Sequence, residues 1–114
     1  MYSLKVILLD GCPYCIELKS ILDNSFSHLE IECINVSFED KDTFKTDKIH
    51  TFPQVYFINK ETQEYLIGGL DNFNDIITIS NMKNIKTIKK SLKKKLLDWP
   101  SRIKLKLILL LKKT

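Results

Sequence analysis

The chain is 114 residues long with 44% hydrophobic and 28% charged side chains, values of an ordinary globular protein with room for one core and not for two. Three cysteines, an odd number without a signal-like start, speak against a secreted domain stapled by disulfides and lead us to expect a reducing, cytoplasmic setting. The net charge of +4 conceals a division: residues 1–81 carry 6 basic and 13 acidic side chains, residues 82–114 carry 12 basic and 1 acidic. An acidic body bears a basic end.

In chain order, Leu4 to Leu9 is β-prone and almost continuously apolar, the pattern of a central strand covered on both faces. Asp10-Gly11 turns the chain into Cys12-Pro13-Tyr14-Cys15. From Pro13 to Asn24 apolar residues Cys15, Leu18, Ile21 and Leu22 recur at helical steps, so a helix of about three turns is expected. Ile31 to Val36 reads as a second strand, parallel to the first because a helix connects them. Cys33 is expected to be a small buried residue of that strand. Glu39 to Lys48 reads as a short surface helix, Thr51 to Ile58 as a third strand with proline near its start, Asn59 to Gln63 as a turn, and Glu64 to Ile67 as an antiparallel return. Gly68-Gly69 breaks the strand and Asp71 or Asn72 caps a helix to about Ser80. A further helix over Lys83 to Leu97 places Ile85, Ile88, Leu92 and Leu96 on one side, with Asp98-Trp99-Pro100 as its stop.

The order β-α-β-α-β-β-α-α predicts an α/β domain with a four-stranded mixed sheet flanked by helices. We assign it to residues 1–97, and residues 98–114 to a basic and apolar extension. Within the extension Ile103 to Leu111 is too short to span a bilayer, which takes about 20 apolar residues. Few aromatic residues and a single arginine weigh against specific nucleic-acid readout. The extension is expected to be a strand or helix packed on the body or on a second subunit, with its lysines on a solvated face or against an anionic surface.

The chemistry concentrates in Cys12 and Cys15. At a helix start, Cys12 lies beside unpaired backbone N–H groups and the positive end of the helix dipole, which favour a thiolate, and Pro13 suits the first helical position. Cys15, one turn further in, is better placed to resolve a mixed disulfide. Half a zinc site is the main alternative, but the other candidate ligands, Cys33, His28 and His50, offer no second close pair, so no metal is expected. A haem attachment would need histidine after Cys15, where Ile16 stands, and a disulfide over so short a gap would be a poor staple.

Four separated features resemble the dithiol glutaredoxins, proteins of thioredoxin-like fold: Cys12-Pro13-Tyr14-Cys15, Thr51-Phe52-Pro53, the strand Gln54 to Ile58, and Gly68-Gly69-Leu70-Asp71-Asn72. The likeness covers roughly residues 3 to 95. It implies a cis Phe52-Pro53 bond beside Cys12 and glutathione as reducing co-substrate, held by Tyr14, Thr51, Phe52, Pro53, Gly69, Asp71 and Asn72. The implied partners are glutathione and disulfide-containing or glutathionylated proteins. Within the same resemblance two alternatives stand: a redoxin that serves ribonucleotide reductase and is reduced by thioredoxin reductase, and an iron-sulfur cluster carrier, which Pro13-Tyr14 disfavours. One departure marks this chain. Leu9 occupies the position where glutaredoxins usually carry lysine, leaving Lys48, His50 or Lys19 to supply a cation and Asp10 to oppose a thiolate.

Overall fold

A computed structural model describes residues 2–59 and 63–112. Its elements are β1 (Ser3–Leu9), α1 (Pro13–Ser25), β2 (Ile31–Val36), a 3-10 helix (Phe38–Phe44), β3 (Gln54–Ile58), β4 (Glu64–Gly68), α2 (Leu70–Ser80), α3 (Ile85–Leu92) and α4 (Ser101–Lys112). The sheet order is β2-β1-β3-β4, with β1 parallel to β2 and antiparallel to β3, and β3 antiparallel to β4. This is the expected thioredoxin-like fold, a four-stranded mixed sheet flanked by helices.

β1 is covered on both faces, as its apolar run requires. Leu4, Val6 and Leu8 point into the main core with Val55 and Phe57 of β3, against Leu18 and Leu22 of α1 and Phe73 and Ile76 of α2. Ile7 and its register partner Gln54 lie on the opposite face. Gln54 is fully buried there with both ends of its amide engaged: its Nε2 donates to Phe44 O at 2.9 Å and its Oε1 accepts from the Tyr56 hydroxyl at 2.9 Å. A buried amide is tolerated only when paired in this way. The bond to Phe44 also fixes the 3-10 segment beneath β3, one residue from Pro53.

Several sequence expectations need correction. Cys33 is exposed rather than buried, because β2 lies at the sheet edge and α1 and α2 pack against β1 and β3 instead of over it. The segment expected as a helix from Glu39 to Lys48 is a 3-10 helix ending at Phe44. β3 begins at Gln54 and not at Thr51: Pro53 has no N–H to give the ladder, and pairing with β1 starts at Gln54. Residues 60–62 of the expected turn lie outside the described residues. The cap of α2 is Gly69, with Asn72 reaching back to it.

The helix expected from Lys83 to Leu97 is the shorter α3, capped by Asn84 Oδ1, which accepts from the N–H groups of Lys86 at 2.8 Å and Thr87 at 3.4 Å. It ends at Leu92 for two reasons. Lys86, Lys89, Lys90, Lys93 and Lys94 set like charges three and four residues apart, which destabilises further turns. The Lys104 ammonium also donates to Leu92 O at 3.0 Å, occupying a carbonyl at the helix end. Ile85, expected on the apolar side, is exposed at the first helical position.

Beyond Pro100 the chain forms α4, packed on α2 with Ile103, Leu107, Ile108 and Leu111 buried. These join the same hydrophobic cluster as β1, α1 and α2. Trp99 is nearly buried, stacked on Phe57 at 6.0 Å between ring centroids and tilted against Tyr65 at 5.2 Å. Among the described residues no helix is long and apolar enough to cross a membrane.

Candidate active site

The parallel pair β1–β2 places the end of β1 where α1 begins, and the join is held by Asp10 N–H donating to Val36 O at 2.9 Å. Gly11, with φ of +76°, makes the turn that only a residue free of Cβ takes without strain. Cys12 is then the N-cap of α1 and Pro13 stands in its first turn. The Cys15 N–H points at Cys12 Sγ, 3.4 Å away. Cys12 Sγ is half-buried and also lies 3.8 Å from Phe52 O, next to the cis Phe52–Pro53 bond, so the two separated motifs meet at this sulfur.

The two sulfurs differ sharply. Cys15 is buried, with Leu9 N–H donating to its Sγ at 3.3 Å. Burial first, then the hydrogen bond with Cys12, pushes the Cys15 thiol up to about 12, while the Leu9 N–H works the other way. Cys15 is therefore a thiol at neutral pH, and Cys12 is the sulfur open to attack a disulfide. Leu9, at the position where lysine was the family expectation, brings no side-chain cation and contributes only its backbone N–H, to the second sulfur. That role follows from strand geometry and carries no signal in the identity of the side chain.

This asymmetry predicts a labelling pattern. Iodoacetamide at pH 8 should modify Cys12 and the exposed Cys33 of the reduced native protein and leave Cys15 untouched; with a pKa of about 12 only about one Cys15 in ten thousand is then ionised. Mass spectrometry of the digested protein reads the three sites separately. Cys15 labelling at the Cys12 rate would contradict the assignment.

A groove opens beside this pair, and Tyr14, Thr51, Phe52, Pro53, Gly69, Asp71 and Asn72 all line it. Lys48 and His50 stand along the same wall, both exposed. Lys19 does not: its ammonium is held by Asp23 at 2.8 Å on α1. Asn72 has a structural duty as well, since its Oδ1 accepts the Gly69 N–H at 2.9 Å and closes the start of α2. Gly68, at φ of +131°, fits only because it has no side chain: a Cβ there would overlap Asn72 Oδ1. Gly68→Ala should lower stability by about 1–3 kcal/mol and open the groove at Asn72, checked by thermal unfolding alongside activity. Among the described residues no cluster of three or more His, Cys, Asp or Glu could hold a metal ion.

Fold and site together define a thioredoxin-fold protein with a Cys-x-x-Cys pair arranged as a dithiol centre. No model of a known protein family matches the chain. Single relatives do match. Glutaredoxin 1 of Rickettsia conorii is 33% identical over 79 residues, covering 67% of this chain and 72% of the relative. Glutaredoxin 1 of Rickettsia felis is 32% identical over 79 residues, with 67% and 72% covered, and that of Rickettsia bellii 29% identical over 82, with 67% and 78% covered. The chain belongs to the glutaredoxin family, and its general function is that of a glutaredoxin-family oxidoreductase with a redox-active cysteine pair.

Proposed function

We propose that the protein is a glutathione-dependent thiol-disulfide oxidoreductase of the reducing cytoplasm, acting on glutathionylated and disulfide-bonded proteins. The observation that carries this is the pairing of an accessible Cys12 sulfur, approached by the Cys15 N–H, with the Phe52 carbonyl at 3.8 Å. A cysteinyl backbone laid along Phe52 would bring its own sulfur to Cys12, pairing with exposed main chain as an added strand does.

In the first of two routes the Cys12 thiolate attacks the glutathione sulfur of a mixed disulfide. The protein thiolate leaves, and Cys12 is left bonded to glutathione. The thiolate of a second glutathione attacks the glutathione sulfur of that bond, Cys12 leaves as thiolate, and glutathione disulfide departs. In the second route Cys12 attacks one sulfur of a protein disulfide, and the other leaves as a thiolate. Cys15 then loses its proton to that thiolate or to water, attacks Cys12 Sγ and expels the second protein thiolate. The Cys12–Cys15 disulfide that results takes two glutathiones to reduce.

The high pKa of Cys15 suits this order. Once Cys12 is in a mixed disulfide, the hydrogen bond and the negative charge from Cys12, two of the causes that raise Cys15, are gone, while the Leu9 N–H still favours the anion. Burial, the largest cause, still holds the thiol up, so the resolving step becomes easier without Cys15 resting as an anion. Turnover of a small glutathione mixed disulfide, coupled either to glutathione and its reductase or to thioredoxin reductase, tests the proposal. Turnover with thioredoxin reductase alone would replace glutathione as the reductant.

A further inference from the structure

The groove beside Cys12 continues past the residues assigned to glutathione. It runs along β4 to Lys95, Leu96, Leu97, Asp98 and Trp99, the segment that joins α3 to α4. Nearly all of that segment lies beyond the stretch that resembles glutaredoxins. The groove encloses about 1280 Å³, more than the ~300–1,000 Å³ of a small-ligand site. The groove extends beyond the residues assigned to glutathione.

That far end is built, not loose. Lys95 Nζ binds Asp75 Oδ2 of α2 at 3.0 Å, and the Trp99 indole N–H donates to Leu66 O of the edge strand β4 at 3.2 Å. Between these two anchors Leu96 adopts φ of +54°, a left-handed conformation that branched and bulky residues rarely accept. The turn sends Trp99 inward and leaves Leu97 76% exposed on the groove wall. Next to it, Asp98 is exposed and, like Asp71 elsewhere in the groove, has no ion-pair partner among the described residues, whereas Glu64 and Asp75 are matched by Lys5 and Lys95.

We infer that this far end is a subsite for the polypeptide flanking the reactive cysteine of a substrate protein, taking an apolar side chain against Leu97 and a basic one beside Asp98. The inference rests on the proposed reaction at Cys12, because a polypeptide whose disulfide meets that sulfur, as leaving thiolate or as mixed-disulfide partner, has to lie beside this groove. A fixed, solvent-facing leucine beside an unmatched carboxylate is complementary to a leucine-arginine type of sequence. The basic end would thus serve substrate choice through the loop that introduces its last helix.

The test uses glutathionylated decapeptides with a leucine-arginine pair at successive positions on either side of the cysteine, a glycine-glutamate series as control, and the cysteine–glutathione disulfide as the minimal substrate. The readout is the ratio of kcat/KM for peptide over minimal substrate. The best leucine-arginine peptide should exceed the minimal substrate about tenfold, and Leu97→Ser and Asp98→Asn should each lower that ratio about fivefold. A binding measurement stands apart from turnover. Trp99 is the only tryptophan of the chain, so the Cys12→Ser protein titrated with the best peptide should give a saturable change in its fluorescence that glutathione alone does not produce. Equal ratios for both peptide series, or a ratio that Leu97→Ser leaves unchanged, would overturn the subsite. If the minimal substrate itself is not turned over, the redox reading fails, and the fluorescence titration then decides the subsite alone: saturation keeps it and a flat response removes it.

Discussion

Cys12→Ser is expected to bring glutathione-dependent reduction of mixed disulfides down to background, a loss of at least about three orders of magnitude, because the attacking sulfur is gone and a hydroxyl does not ionise near neutral pH. The loss should be chemical and not structural. Cys12 is the N-cap of α1, where its sulfur accepts the Cys15 N–H at 3.4 Å, and serine is among the preferred N-cap residues. Thermal unfolding of the variant should match the wild type or rise slightly. Cys15→Ser should behave differently. It should keep turnover of small glutathione mixed disulfides within several-fold, since that route never uses Cys15, and lose reduction of protein disulfides that depend on resolution by the second sulfur. A coupled assay with both substrate types on both variants gives four values. An active Cys12→Ser protein, or a Cys15→Ser protein dead on both substrates, would reverse or remove the roles assigned to the pair.

Most of what positions this pair can be read from the residues, because it depends on local rules. The apolar run of β1, the turn at Gly11, the proline that opens α1 and the helix spacing after it are all short-range signals, and the structure follows them to within a residue or two. Other features depend on neighbours that the sequence does not identify. The exposure of Cys33 is set by which strand falls at the sheet edge, a matter of β3 pairing with β1 on its other side. The end of α3 at Leu92 depends in part on Lys104, twelve residues on, whose ammonium donates to the Leu92 carbonyl beside the Lys95 N–H. The contribution of Leu9 N–H to Cys15 is likewise invisible, because every residue but proline has that group. The residues proposed to hold glutathione are legible for a different reason: Tyr14 and the short motifs at residues 51–53 and 68–72 meet along one groove only when the sheet forms.

The apolar end of the chain, expected as a strand or helix packed on the body or on a second subunit, is a helix joined to the main core, and this carries the second large prediction. A chain ended after Pro100 is expected to lose about 3 kcal/mol or more, lowering the unfolding midpoint by more than about 10 °C or leaving the protein insoluble. The missing helix buries Ile103, Leu107, Ile108 and Leu111, and each such side chain contributes about 1.5–3 kcal/mol on burial. Part of that gain is offset in the intact protein by the entropy of ordering α4, so the net loss is smaller than the sum. What truncation cannot remove is the surface of α2 that α4 covers, which would be left to water or to a second molecule. Leu107→Ala separates the core role from the groove role. It leaves the Lys95–Asp75 and Trp99–Leu66 contacts in place and, at a fully buried position, should cost about 2–5 kcal/mol by itself. Its ratio of peptide to minimal-substrate turnover should stay at the wild-type value, because Leu97 and Asp98 still face the groove. A truncated protein as soluble and as heat-resistant as the full chain would mean that α4 lies on the body without holding it together.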